Sequence, residues 1–428
     1  FGSSWGHSTF FVDPVQLFWI MPKIVVVGGG VSGLMTTKAL AGKGYDVTLV
    51  SSTRYFEWGI AGAYSLTHPD ELEKAVAGEI TVPDGVKLVV GTAVSLRNQE
   101  VALKDGQVLP FDALVVATGL DLPLFRPKVG QSWADRRKQV SEIGNAVRKA
   151  FTVVIGGGGT VAVEFAGDVR EVNPSAKIIL VCSGDRACPY LDEKYSAKLD
   201  AKLKELNIDV MTNQRAAEED YSVTRKAVRL QSGKTIEADC YIPAYTRAYG
   251  GAWSGLADAA GKMLVNQYLQ VESKSTVFAV GCSTRSGMSA IPKIQGEADT
   301  VAKNVLKLLE GAALEDHVDS MPTAIRPISQ KIGHNTFAWL DPSQLPAAPG
   351  FMLRNCGFPC CPPLLCWPLV FCGFGNCHPF FCGYCCSDPE GQGTALGIKM
   401  MLLHPKGMVD QTLGTAPAQL EMGKMGAE

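Results

Sequence analysis

The chain has 428 residues, of which 46% are hydrophobic and 19% charged, with a formal net charge of −2. This length exceeds what a single core usually serves, so two or three globular domains are expected. The near-neutral balance gives no reason to expect a nucleic-acid partner.

Residues 1–20 lack both the basic and long apolar regions of a secretory signal and the Arg-rich pattern of a transit peptide. They read as leader read-through, a fragment's edge or a disordered extension, with Met21 as the start. The stretch Lys23-Ile-Val-Val-Val-Gly-Gly-Gly-Val-Ser-Gly33 organises the chain beyond it. Apolar, mostly β-branched residues end in a glycine cluster, and the pattern changes to helical spacing through Leu34, Ala39 and Leu40. Gly28, Gly30 and Gly33 stand in G-x-G-x-x-G register. In such a turn the first glycine permits the bend, the second lets backbone approach a pyrophosphate, and the third lets helix and strand pack closely. The helix N-terminus offers free N–H groups to the anion.

Tyr45–Val50 reads as the next strand. Its end should carry an acid for ribose hydroxyls, yet Ser51 stands there, a neutral and weaker partner. Short strands near 86–90, 94–96, 101–103 and 108–109 follow, with Asp105-Gly106 as a hairpin turn. Leu109–Gly119 (LPFDALVVATG) is a buried strand whose Thr118 and Gly119 allow close approach of a ligand. After a basic amphipathic helix ending at Ala150, the opening pattern returns. Thr152–Ile155 is the strand, Gly157, Gly159 and Ala162 form the turn, and helical spacing follows. Ile178–Val181 ends in Cys182-Ser183, again without an acid. Arg186 is compatible with a 2′-phosphate and equally with a solvated surface position. A helix spans Lys194–Leu206, a strand runs through Ser275–Cys282, and a further helix extends from about Glu297 to Leu309.

Two such turns imply two dinucleotides that exchange electrons, and a flavin with a nicotinamide is the economical pair. The ordered motifs VVVGGGVSG, LPFDALVVATG, VVIGGGGTVAVEFAG and VFAVG span residues 22–310. In this order they resemble the pyridine nucleotide–disulfide oxidoreductase superfamily, within it the apoptosis-inducing-factor-like, ferroptosis-suppressor-type proteins related to type II NADH dehydrogenases. The resemblance implies an α/β fold with two Rossmann-like domains. Residues 21–120 with 260–320 would bind FAD, 121–259 would bind NAD(P)H, and 321–428 would form a C-terminal region with a Cys-rich insert at 351–387. It also implies that Gly28, Gly30, Gly33, Thr118, Gly119, Gly281 and Cys282 face FAD, while Gly157, Gly159 and Ala162 face the nicotinamide cofactor. Glu164 matches a family glutamate near the flavin and nicotinamide. Lys293, in Pro292-Lys-Ile-Gln295, would stabilise charge on a reduced flavin or else stand in solvent at a helix start.

Three departures stand out: Ser51 and Cys282 replace carboxylates that hold FAD, and Ala244-Tyr-Thr246 replaces a second Ala-Thr-Gly. Each lost charge-assisted hydrogen bond is worth about 1.5–3 kcal/mol, so FAD binding would be weak or rearranged onto Ser51, Cys282 and Ser283. Cys282 reads as a buried thiol or a redox-active one. No cysteine precedes Cys182, and Cys182 and Cys188 lack the spacing of a redox disulfide. Hydride transfer from NAD(P)H through FAD to a quinone-like or other acceptor is therefore expected. The alternative is a non-catalytic nucleotide-sensing or binding protein.

Nine of the 13 cysteines crowd between Cys356 and Cys386, in a stretch without formal charge that also holds five prolines and seven aromatic residues. Its apolar runs are too short for the ~20 residues of a membrane span. A membrane-surface insert open to S-acylation, a metal module around Cys377-His378 and Cys382-x-x-Cys385, and a disulfide knot remain as readings. The first suits a quinone acceptor and a cytoplasmic protein held peripherally at a membrane. A helix at 396–404 and a disordered tail would close the chain.

Overall fold

The computed structural model describes residues 21–318, except 74–76, 192, 218–219, 247–252, 254, 260 and 285–290, together with 329–332 and 335–338. The leader, the Cys-rich insert, the 396–404 helix and the tail lie outside the described residues.

The first half runs β1 (Lys23–Val27), α1 (Val31–Leu40), β2 (Asp46–Ser51), β3 (Tyr55–Glu57), α2 (Gly62–Thr67), α3 (Pro69–Glu71) and β4 (Ala77–Glu79), then β5 (Lys87–Val90), β6 (Ala93–Arg97), β7 (Glu100–Leu103), β8 (Val108–Pro110) and β9 (Ala113–Val116). The second half runs α4 (Trp133–Lys149), β10 (Thr152–Gly156), α5 (Thr160–Val172), β11 (Lys177–Val181), α6 (Glu193–Glu205) and β12 (Ile208–Met211). It continues through β13 (Lys226–Arg229), β14 (Thr235–Ala238), β15 (Cys240–Pro243), β16 (Val277–Ala279) and α7 (Ile291–Leu309) to a hairpin of β17 (Ser329–Ile332) and β18 (Asn335–Ala338).

Two sheets carry the architecture. The first has the order β16-β9-β1-β2-β5 and the second β12-β11-β10-β15. Within each, neighbouring strands are parallel: Val26 pairs with Leu49 and Val115, and Val154 pairs with Ile179 and Tyr241. Parallel pairing requires crossover connections and buries both sheet faces. The sequence of β1 meets that demand. Ile24 and Val26 enter one apolar cluster while Val25 and Val27 enter another, with Leu114, Val116, Met263 and Ala279. Fully burying a side chain of this size stabilises by roughly 1.5–3 kcal/mol. Thus the uninterrupted apolar runs seen in the sequence are the central strands of two α/β units.

The cluster holding Ile24 and Val26 also contains Val153, Ile155 and Phe165, so the two sheets share a core. Where they meet, the Phe125 and Phe165 rings pack edge to face, 5.4 Å between centroids, and α2 lies against both α4 and α5. Arg136 of α4, fully buried, donates from Nε to Glu57 Oε1 (2.8 Å) and from Nη2 to Oε2 (3.0 Å). Its Nη1 reaches the Leu124 carbonyl and Gln139, so this buried charge is satisfied on every side. Ser132 caps α4 by accepting from the Asp135 N–H (3.1 Å).

One element departs from expectation. α7 begins at Ile291 rather than near Glu297, because Pro292 falls in the first turn, where its missing N–H breaks no helical bond. Between β2 and β5, the short strands β3 and β4 pair antiparallel, with α2 and α3 between them in the chain. No helix among the described residues is long and apolar enough to cross a membrane.

Candidate active site

The two glycine turns are built alike. Gly28 and Gly157 have φ of +129° and +146°, which side-chain-bearing residues rarely adopt. A Cβ on Gly28 would stand 2.3 Å from the Ala117 carbonyl oxygen, and one on Gly157 2.5 Å from that of Ala244. Each turn is therefore pressed against the strand beside it, β9 in one sheet and β15 in the other. A Cβ on Gly33 would lie 1.8 Å from the Gly28 oxygen. Ala162 takes the equivalent place in the second turn, and its methyl is accommodated there.

Gly30 and Gly159 are the exception in each turn. Both are exposed, both cap their helices in extended conformation (φ −85° and −87°), and neither helix has a side-chain cap. A Cβ on either would meet nothing within 4 Å. The first N–H groups of α1 and α5 thus open onto empty space bordered by glycine, which fits a pyrophosphate at each turn.

The structure brings the remaining residues expected around FAD to the same end of the first sheet. Thr118 and Gly119 follow β9, with the Thr118 nitrogen 3.0 Å from the place of a Gly28 Cβ. Gly281, at φ +74°, has Ser32 of α1 2.8 Å from where its Cβ would be. The Gly281–Ser283 turn is anchored by two residues that sequence reasoning did not single out. Gly281 N–H donates to Glu297 Oε2 (2.7 Å), and Lys262 Nζ donates to the Cys282 carbonyl (2.7 Å). Burial pulls the Lys262 ammonium below its ordinary range, opposed by Cys282, Asp258 and Glu297. Glu297 was detectable in principle, as an acid on the otherwise apolar face of Ile294, Ala298 and Val301. Lys293, half-buried, lies in the first turn of this same helix.

The hydroxyls expected to stand in for the lost carboxylates turn inward. Ser51, buried, donates to the Thr53 carbonyl (2.7 Å) and lies against Gly29. Ser283, also buried, donates to the carbonyls of Val280 (2.8 Å) and Val116 (3.2 Å). Their protons close local turns, so as donors they are unavailable to a ribose or ribityl chain. Cys282 is buried within its turn.

Near the second turn, Glu164 lies half-buried on α5, close enough to Cys188 and Tyr190 to influence their titration. The loop after β11 folds back over the turn. Cys188 N–H donates to the Gly158 carbonyl (2.6 Å), and the Tyr190 hydroxyl bonds Thr160 Oγ1 at the start of α5. Arg186 is half-buried, with one guanidinium nitrogen committed to backbone carbonyls. Its Nη2 donates to the carbonyls of Pro189 (3.2 Å) and Leu191 (3.1 Å), with Asp200 nearby. Cys182 and Cys188 are free, buried thiols, which burial pushes up to about 11 and about 12. Among the described residues no cluster could hold a metal ion.

One cationic side chain missed in the sequence stands at the carboxyl end of the first sheet. The Arg126 guanidinium packs beside Gly59 and Gly119, 3.2–3.3 Å from where a Cβ on either would lie.

Two parallel α/β units, each with an open glycine turn at the carboxyl end of its sheet, define a protein that binds two dinucleotides. The chain belongs to the pyridine nucleotide-disulphide oxidoreductase family, whose model matches residues 22–298. Among its relatives, Oxidoreductase ptaL of Pestalotiopsis fici is 29% identical over 319 residues, covering 68% of this chain and 85% of that protein. Apoptosis-inducing factor homolog B of Dictyostelium discoideum is 25% identical, covering 61% and 74%. Ferroptosis suppressor protein 1 of Homo sapiens is 25% identical, covering 60% and 73%. The fold is similar to that of the sulfide:quinone oxidoreductase from Aquifex aeolicus, with a TM-score of 0.54, 19% identity, and 68% of this chain and 77% of that one covered. The chain is an NAD(P)H-dependent flavin oxidoreductase, with FAD and NAD(P)H as its cofactors.

Proposed function

We propose that the chain is an NAD(P)H:acceptor oxidoreductase whose acceptor is quinone-like. The observation that carries this reading is the pair of matched turns, each leaving one glycine and one uncapped helix N-terminus open. In this reading residues 21–120 and 260–320 hold FAD, with Gly28, Gly30 and the N-terminus of α1 receiving its pyrophosphate. Residues 121–259 hold NAD(P)H through Gly157, Gly159, Ala162 and α5. When bound, FAD supplies the two-electron chemistry that connects nicotinamide to acceptor.

The chain's own residues position and shield. Glu297 and Lys262 fix the Gly281–Ser283 turn beside α1, Glu164 orients the nicotinamide side, and Lys293 faces the charge that develops on reduction. A thiol relay is disfavoured: Cys182 and Cys188 are held as neutral thiols by burial, and a thiol rather than a thiolate is a poor nucleophile. Electrons then leave directly to a small acceptor. A quinone fits that need, and the uncharged, aromatic stretch at 351–387 would hold the protein peripherally at the membrane where quinones dissolve. The cytoplasm is the compartment that goes with this reading.

A second reading, nucleotide binding without turnover, draws on the inward-turned Ser51 and Ser283, which leave the FAD ribose and ribityl chain without the usual carboxylates. Purified full-length chain separates the two. Stoichiometric flavin and NAD(P)H oxidation that depends on an added soluble quinone support the enzyme. A colourless protein that takes up no FAD and oxidises neither nucleotide supports the binding module.

A further inference from the structure

The two glycine turns differ in one respect. At the second, the loop that leaves β11 returns and touches the turn on both sides of its open glycine. Cys188 N–H donates to the Gly158 carbonyl (2.6 Å), and the Tyr190 hydroxyl bonds Thr160 Oγ1. Gly159, between those two points, is the residue whose Cβ would meet nothing within 4 Å. The first turn offers no such bond, because the residue after Gly30 is Val31, whose side chain neither donates nor accepts.

Three features make residues 186–191 a movable strap rather than a fixed wall. The Arg186 guanidinium donates to the Pro189 and Leu191 carbonyls, so the bend holds its own shape. Cys188, at its centre, takes φ +47°, a left-handed conformation that a residue with a side chain keeps only when its surroundings impose it. Tyr190, at the tip, is 38% exposed and is tied to α5 through its hydroxyl.

Thr160 is the first residue of α5, and Glu164 lies one turn further along the same helix face. The strap therefore closes on the helix that is to receive a diphosphate at its N-terminus and orient the nicotinamide at Glu164. A flavin is reduced and reoxidised in place, whereas a nicotinamide nucleotide enters and leaves at each turnover. A movable closure thus has a use at the second turn and none at the first.

We propose that Tyr190 is the latch of a strap that shuts the second cradle until NAD(P)H enters and breaks its bond to Thr160. A diphosphate on the first N–H groups of α5 needs the space beside Thr160 that the tyrosine hydroxyl fills. The latch therefore subtracts from nucleotide affinity, and releasing it restores that affinity. The proposal rests on the reading that the second turn takes the nicotinamide cofactor.

The test uses the full-length, FAD-loaded chain and the oxidised nucleotides NAD+ and NADP+, which bind without reducing flavin, followed by calorimetry and stopped-flow fluorescence. Tyr190→Phe, which keeps the ring and removes the hydroxyl, is expected to tighten binding about two- to tenfold and to speed association. Thr160→Val should do the same, and the double variant should gain no more than either change alone. FAD affinity should be equal in all four proteins. Unchanged binding in Tyr190→Phe would overturn the proposal, and so would weaker binding, which would give the hydroxyl to the bound nucleotide instead. Gains that add in the double variant would also overturn it, since a shared bond is broken only once. A native chain that holds FAD yet binds neither nucleotide would remove the reading beneath the proposal, and the proposal with it.

Discussion

At Gly30 and Gly33 the same residue type does opposite work three positions apart. Gly33 is needed for packing, since a Cβ there would lie 1.8 Å from the Gly28 oxygen, whereas Gly30 faces open space in a conformation any residue adopts. Gly33→Ala should therefore destabilise the flavin-free chain by about 1–3 kcal/mol through overpacking, seen in chemical denaturation. Gly30→Ala should cost under about 1 kcal/mol and instead impair FAD binding, because its methyl occupies the cradle. Gly159→Ala should likewise spare FAD and weaken only NAD(P)H. Equal stability losses at 30 and 33 would contradict the division.

Three thiols set a pH limit on the fold. Burial raises Cys182 to about 11 and Cys188 and Cys240 to about 12, from an ordinary 9.0. The unfolded chain therefore loses these protons at lower pH than the native one. Their contribution is complete below pH 9 and is lost as pH rises through about 9 to 12, by about 1.4 kcal/mol per unit of separation for each group. Denaturation midpoints should fall over that interval, and replacing Cys240 by Ala should shallow the decline. A flat profile to pH 11 would contradict the burial of these thiols.

Among the elements, α4 and β3 depend on one ion pair. Arg136 and Glu57 bury both charges with their hydrogen bonds filled, so removing one partner strands the other. Arg136→Met should cost about 3–5 kcal/mol, while the double change with Glu57→Leu should recover much of that loss. Urea unfolding of the two variants and the wild type provides the comparison.

The elements also show what a linear sequence can carry. Strands β1, β9 and β10 were readable because both of their faces are buried, which requires unbroken apolar runs. The glycine turns were readable because backbone geometry admits few other residues there. By contrast, α7 starts before Glu297 since Pro292 is tolerated in a first turn, a choice made by tertiary packing. Arg126 was hidden for a different reason: Gly59 and Gly119 are brought beside it only by the fold. For Ser51 and Ser283 the sequence shows a hydroxyl but not its direction, and a nearby carbonyl decides that.

For the whole molecule, the decisive feature is that two nearly identical anion cradles sit on sheets sharing one core. Phe125 against Phe165, and α2 against α4 and α5, fix the two units relative to each other. Such fixed placement is what electron transfer between two bound cofactors requires, since reacting groups must be held close and in orientation. The most direct measurement is the absorbance of the FAD-loaded, full-length chain when NADPH or NADH is added without oxygen. The flavin band should bleach within the mixing or turnover time of the enzyme, and a soluble quinone should restore it. A flavin band that stays unchanged with both nucleotides, in protein shown to bind them, would contradict a two-cofactor oxidoreductase.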